Sequence, residues 1–154
     1  SIGQRISVTP IQLITAYSAI ANGGNLMKPQ IIKKITGSEN SSVKVFEPQV
    51  TRNIISKETA DGMIEMLEST VSKGTGANAY MEGYRIAGKT GTSEKANGKF
   101  VASFAGIAPA DHPEIAILVI LDEPSVPSHM GGATAAPVAG KIMKDVLDYM
   151  SKNQ

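Results

Sequence analysis

The sequence predicts an α/β protein of the α+β type, in which an antiparallel sheet carries helices on both faces. Three observations carry that expectation. Helix-start signals occur at three well separated places, Thr9-Pro10-Ile11-Gln12, Ser56 and Thr134. The run from Ile115 to Leu121 is apolar at every position, as in a strand covered on both faces and lying mid-sheet. Before it, Tyr84 to Thr92 and Phe100 to Ala108 flank Asn97-Gly98, the dipeptide of a tight hairpin turn.

The elements follow in order. Thr9 is an N-cap residue, Pro10 suits the first helical position, and Gln12 completes a capping box. Ile11, Leu13, Ile14, Tyr17, Ile20 and Ala21 supply an apolar face until Asn22-Gly23-Gly24 stops the helix. Met27 to Ile35 and Val43 to Ile54 read as short strands around the polar loop Thr36 to Ser42. Ser56 opens a second helix with Glu58 in its first turn, where the helix dipole favours an anion. Ala60, Met63, Ile64, Leu67 and Val71 line one side, the methionines as core filling, and Gly74-Thr75-Gly76 ends it. Pro109-Ala110-Asp111-His112-Pro113 is a turn between the last two strands. The final helix tolerates Pro137 in its first turn and carries Val138, Ile142, Val146 and Met150 at steps of four.

Bulk properties exclude several classes. A chain of 154 residues suits one domain of ordinary size, 1–154, and 42% hydrophobic content suits a packed core. The net charge of +1 without a basic cluster gives no support for a nucleic-acid partner. No cysteine is present, so disulfides and thiolate metal sites are excluded. His112 and His129 stand apart in loops and read as solvated rather than as metal ligands. No apolar run reaches the ~20 residues that span a bilayer. Ser1-Ile2-Gly3-Gln4 reads as the internal start of a piece of a longer protein.

The most informative segment is Gly88-Lys89-Thr90-Gly91-Thr92-Ser93-Glu94, which fits two chemistries. Read from Gly83, it satisfies G-x-x-x-x-G-K-[ST], a phosphate-binding loop, and Asp122-Glu123 after the apolar run mimics a magnesium-binding carboxylate. That reading needs a buried strand before Gly83 and a helix opening at Lys89. Ala77 to Glu82 has no strand pattern, Gly91 and a hairpin turn follow Thr90, and the span to Asp122 is cramped. Nucleotide binding is therefore the weakest alternative. As a strand, the segment places a cation, hydroxyls and a glycine open to close approach along one edge.

The chain resembles the C-terminal part of the transpeptidase domain of class B penicillin-binding proteins. The resemblance rests on Gly3-Gln4, Val8 to Leu13 and Ala21 to Gly24, then on Ala87-Gly88-Lys89-Thr90-Gly91-Thr92-Ser93 as the K-T-G motif. It continues through Phe104 to Pro109, Asp122-Glu123-Pro124, Gly131-Gly132 and Ala135-Ala136-Pro137. Active-site-serine enzymes of this kind carry S-x-x-K, S-x-N and K-T-G motifs. The resemblance implies a peptidoglycan D,D-transpeptidase that cross-links stem peptides ending in D-Ala-D-Ala through a serine acyl-enzyme, and that β-lactams trap. It implies neither a metal nor an organic cofactor. Lys89, Thr90, Gly91 and Thr92 are implied as substrate-binding, Lys89 and the Thr92 backbone N–H as catalytic, the latter as an oxyanion donor.

The nucleophilic serine, its lysine and S-x-N are expected in a remaining N-terminal part of the domain. Ser41-Ser42-Val43-Lys44 and Ser38-Glu39-Asn40 match the first two motifs but lie in a polar loop, in reversed order, and are rejected. The chain is thus an incomplete transpeptidase domain, inactive alone, whose parent is expected on the outer face of the bacterial cytoplasmic membrane. A serine β-lactamase or D,D-carboxypeptidase fragment, and a noncatalytic interaction domain, are the alternatives.

Overall fold

The computed structural model describes residues 6–37, 42–126 and 128–153. The chain runs α1 (Pro10–Ala21), β1 (Asn25–Met27), β2 (Lys34–Thr36), β3 (Ser42–Val45), β4 (Val50–Asn53), α2 (Lys57–Lys73), a short helical turn (Ala77–Ala79), β5 (Ala87–Glu94), β6 (Phe100–Ala108), β7 (Ile115–Asp122) and α3 (Ala135–Lys152). Gly3-Gln4 and Ser38-Glu39-Asn40 lie outside the described residues, as does Ser41 of the other rejected motif. The rest of that motif falls in or beside strand β3, where the Lys44 amine sits 4.6 Å from the centre of the Phe46 ring.

The helix starts follow their caps. The Thr9 hydroxyl accepts from Gln12 N–H at 3.3 Å while the Gln12 side-chain Oε1 accepts from Thr9 N–H at 2.9 Å, the reciprocal capping box. The Ser56 hydroxyl accepts from Thr59 N–H at 3.1 Å. The region between α1 and α2 forms two small ribbons, β1 with β4 and β2 with β3, rather than two strands. Each strand there has three or four residues, because Lys28-Pro29 and Glu47-Pro48 interrupt the pairing.

The main sheet has the order β5-β6-β7, antiparallel throughout and without a register break. Strand alternation sorts its side chains. Phe104, Ala108, Ile115, Ile117, Val119 and Leu121 pack with Ala135, Ala136, Ala139, Met143 and Leu147 of α3. On the other face, Ala87 and Ile107 pack with Ile64 and Leu67 of α2 and Tyr17 and Ile20 of α1. Helices therefore cover both faces, as the sequence predicts.

Two expectations are corrected. Among the described residues, the strand apolar on both faces, β7, stands at an edge of the sheet, and β6 takes the middle. β7 is apolar because α1 covers one of its faces and α3 the other, which needs no second strand neighbour. β6 instead carries Ala102, Ala105, Gly106 and Ala108, small residues that let the helices approach closely. In α3 the buried stripe is Ala135, Ala139, Met143 and Leu147, whereas Val138, Ile142 and Val146 lie about two-fifths exposed on its flank. Both sets recur every four residues, and small alanines do not advertise a core face in a hydropathy pattern.

The β5–β6 hairpin is tied to the end of β7 by charge. The Lys95 amine lies 2.8 Å from both Asp122 and Glu123, and the Glu123 carboxylate also accepts from Lys99 and from the Asn97 amide. The carboxylates once readable as magnesium ligands are thus lysine partners. Hydrogen bonds from Lys95, Lys99 and Asn97 hold the Glu123 carboxyl at a pKa of about 2. A lowered folded pKa adds stability above the unfolded value and loses it as pH falls. Thermal melts should therefore show the gap between wild type and Glu123→Gln intact above about pH 4.5 and closing toward pH 2. A gap independent of pH would remove the ionic role of this cluster.

Candidate active site

β5 is the edge strand that carries Lys89 to Thr92, and its parity decides what that edge offers. In antiparallel pairing, a residue turns its N–H and C=O to one side and its neighbours turn theirs to the other. The N–H of Lys95 donates across the hairpin to the Lys99 C=O at 2.7 Å, while the C=O of Phe100, opposite Glu94, accepts from Glu123 N–H at 2.9 Å on the β7 side. Counting back from these two bonds turns the backbone groups of Gly88, Thr90, Thr92 and Glu94 away from β6. The Thr70 hydroxyl of α2 meets the first of them, donating to the Gly88 C=O. The N–H of Thr92 faces the open edge.

The side chains gather at the same place. The Lys89 amine donates to the Thr90 C=O at 3.0 Å and lies 3.4 Å from the Thr90 hydroxyl. The Thr90 hydroxyl also lies 3.1 Å from the hydroxyl of Thr75. The Thr92 hydroxyl accepts from the N–H of Gly131 at 3.0 Å. A hydroxyl has one proton and two lone pairs, so that bond leaves the Thr92 proton free to donate. Lys89 is exposed and Thr90 half-buried, so a cation and two hydroxyls converge beside open backbone N–H groups. This arrangement suits an anion next to a polarised carbonyl.

A glycine pair before α3, Gly131-Gly132, clamps the strand. A Cβ on Gly131 would stand 2.3 Å from the Gly91 carbonyl oxygen and 2.5 Å from that of Ser103, so the segment before α3 rests directly on β5 and β6. A Cβ on Gly132 would meet the Thr75 carbonyl oxygen at 2.4 Å, and the Asn78 amide donates to the Gly132 C=O at 2.7 Å. Gly91 faces Ser103, whose hydroxyl would lie 2.5 Å from an added Cβ.

Lys89, Thr90, Gly91 and Thr92 are all brought together. Thr70, Thr75 and Asn78 were not legible as site residues: Thr75 reads only as part of a helix stop, and its partner is fifteen positions away. His112 is exposed, and exposed His129 stacks on Phe100 with ring centres 3.8 Å apart. Among the described residues no group of acidic and histidine side chains could hold a metal ion, and no helix is long and apolar enough to cross a membrane. A cavity of about 780 Å³ lies elsewhere, beyond the Ala87 end of β5, among Asn22, Asp61, Glu65 and His112. Its charges answer one another, with Arg85 in a fork on Glu68 at 2.7 Å, holding that carboxyl below its usual range, and Lys57 on Asp61 at 2.6 Å.

The family model of the penicillin binding protein transpeptidase domain matches residues 1–144. Stage V sporulation protein D of Bacillus subtilis is 44% identical over 163 residues, covering 99% of this chain and 25% of that protein. The peptidoglycan D,D-transpeptidase FtsI of Escherichia coli K12 is 35% identical over 158 residues, covering 98% of this chain and 25% of that protein. The crystal structure of penicillin binding protein 3 from Mycobacterium tuberculosis, complexed with aztreonam, superposes with a TM-score of 0.86 at 33% identity, over 97% of this chain and 37% of that one. The chain spans about a quarter of the length of these curated relatives.

The clamp predicts two unequal glycine substitutions. Gly131→Ala drives a methyl into two backbone carbonyls and should cost about 1–3 kcal/mol, the usual cost of overpacking. Gly91→Ala meets only the rotatable Ser103 hydroxyl and should cost under about 1 kcal/mol. Chemical denaturation of both variants measures the difference, and equal losses would mean that the segment before α3 is not fixed on the strand.

Proposed function

This chain belongs to the penicillin-binding-protein transpeptidase domain family, and on that premise we propose that β5 is the substrate-binding strand of a peptidoglycan D,D-transpeptidase. The observation that carries the reading is the convergence at one open edge of the Lys89 amine, the Thr90 and Thr92 hydroxyls and the outward Thr92 N–H. The residues 1–154 form the C-terminal portion of one such domain. The serine nucleophile, its lysine and S-x-N come from the remaining N-terminal part.

The donor is a stem peptide ending in D-Ala-D-Ala, laid along the open edge of β5 as an added strand. Lys89 and the hydroxyls of Thr90 and Thr92 bind its terminal carboxylate. That places the scissile carbonyl beside the N–H of Thr92. Serine attack on this carbonyl forms a tetrahedral oxyanion, which the Thr92 N–H stabilises, and collapse expels D-alanine and leaves an acyl-enzyme. An acceptor amine then attacks the ester and regenerates the serine. β-Lactams present a carboxylate and a strained carbonyl to the same groups and stop at the acyl-enzyme. The parent acts on the outer face of the bacterial cytoplasmic membrane, where its substrate is found. Relatives named as peptidoglycan D,D-transpeptidases favour an amine over water as the acceptor.

Acylation kinetics of the parent protein with benzylpenicillin test the strand. A charge-assisted hydrogen bond contributes roughly 1.5–3 kcal/mol, so Lys89→Ala should lower the second-order acylation rate by about one to two orders of magnitude. Thr90→Val, which loses a neutral donor, should cost about tenfold or less. Melting temperatures should barely move. Wild-type acylation by a folded Lys89→Ala protein would leave β5 a merely structural strand.

The isolated chain should form no covalent adduct with a fluorescent penicillin, as intact mass after incubation will show. An adduct on Ser41 would restore the rejected Ser41-Ser42-Val43-Lys44 motif.

A further inference from the structure

We propose that Thr75 is a positioning residue, whose hydroxyl keeps the proton of Thr90 directed at the substrate carboxylate. The inference rests on the reading of β5 as the carboxylate-binding strand and adds to it a residue outside that strand.

The Thr90 hydroxyl can donate one proton and accept two. Its neighbours are the Lys89 amine at 3.4 Å, which can only donate, and the Thr75 hydroxyl at 3.1 Å, which can do either. The lysine contact is long and weak. With the edge empty, the Thr90 proton can rest on Thr75. When an anion arrives, a charge-assisted bond to it is stronger than a bond between two neutral hydroxyls. The Thr90 proton then turns outward and Thr75 reverses, donating to the lone pair that Thr90 now offers. A hydroxyl can reverse in this way, whereas a methyl at that place can neither accept nor donate.

Thr75 is held in place to serve this role. It follows the end of α2, where the N–H of Gly76 donates to the Thr70 C=O at 3.0 Å. The Thr75 carbonyl lies against Gly132 with no room for a Cβ there, and the Asn78 side-chain amide, three residues further along, donates to the Gly132 C=O. Thr75 therefore stands between the end of α2 and the segment that also anchors Thr92 through Gly131.

The test compares acylation of the full-length parent protein by benzylpenicillin with acylation by its methyl ester, which keeps the reactive ring and loses the anion. In wild type the acid should react faster than the ester. Thr75→Val should lower that acid-to-ester ratio about two- to tenfold, the range of one neutral hydrogen bond. Thr75→Ser should restore it. Thr75→Val and Thr90→Val together should lower the ratio no further than Thr90→Val alone, since the two hydroxyls act through one proton. A Thr75→Val protein that slows acid and ester equally has only a packing defect and overturns the proposal. If Lys89→Ala and Thr90→Val also leave the ratio unchanged, the carboxylate-binding reading of β5 falls with it. If they lower the ratio and Thr75→Val does not, only the role of Thr75 falls.

Discussion

One aromatic ring fixes the strand that carries Lys89, Thr90 and Thr92. Phe104 is fully buried at the centre of the sheet, opposite Thr90 in register; Gly88 and Gly106 leave it space that a Cβ would fill, and Gly76 lies alongside it. An added Cβ would stand 2.4 Å from the ring at Gly88, 2.8 Å at Gly106 and 3.4 Å at Gly76. Those glycines come from β5, β6 and the segment after α2, so three parts of the chain close on one side chain. Met143 of α3 presses on the same site, near Gly106. Protein interiors are packed to crystal density, and a ring so enclosed leaves β5 little freedom to shift its register. The edge chemistry depends on that register, because a slip of one residue would turn the Thr92 N–H inward and expose that of Gly91.

The same ring explains a false resemblance. Gly88 stands where a phosphate-binding loop has its second glycine, yet here it makes space for Phe104 rather than for a phosphate. A glycine in a motif records that something approaches closely, and only the surroundings say whether it is ligand or side chain. The acidic pair Asp122-Glu123 is resolved likewise, because Lys95 and Lys99 of the facing hairpin neutralise it.

How much was legible in the sequence varied with the kind of interaction. Local signals read directly: the Thr9 and Ser56 caps, the Asn97-Gly98 turn and the glycine stop after α2 are each decided within a few residues. Alternation along Lys89 to Thr92 also follows once the segment is assigned to a strand, but which backbone groups face outward is fixed only by the pairing with β6. Sheet order did not, since the uniformly apolar β7 suggests a central place that alanine- and glycine-rich β6 takes instead. The α3 core stripe was hidden for the same reason, because alanine is both a good helix former and a poor marker of burial. Contacts of Thr75 with Thr90 and of Gly131 with Thr92 join distant parts of the chain, and no local pattern announces them.

The outward N–H at Thr92 differs from the other groups of the edge in one respect: it belongs to the main chain. Lys89, Thr90 and Thr75 can each be exchanged by a single codon change, but every residue except proline brings the same N–H to position 92. Under the proposed role, a lineage exposed to an inhibitor cannot discard this donor and keep its catalyst. At this edge, a change that weakened an inhibitor would then have to act through the hydroxyls of Thr90 and Thr75 or through the Gly131 segment bonded to Thr92. The vulnerability is written into the backbone, where substitution has almost no purchase.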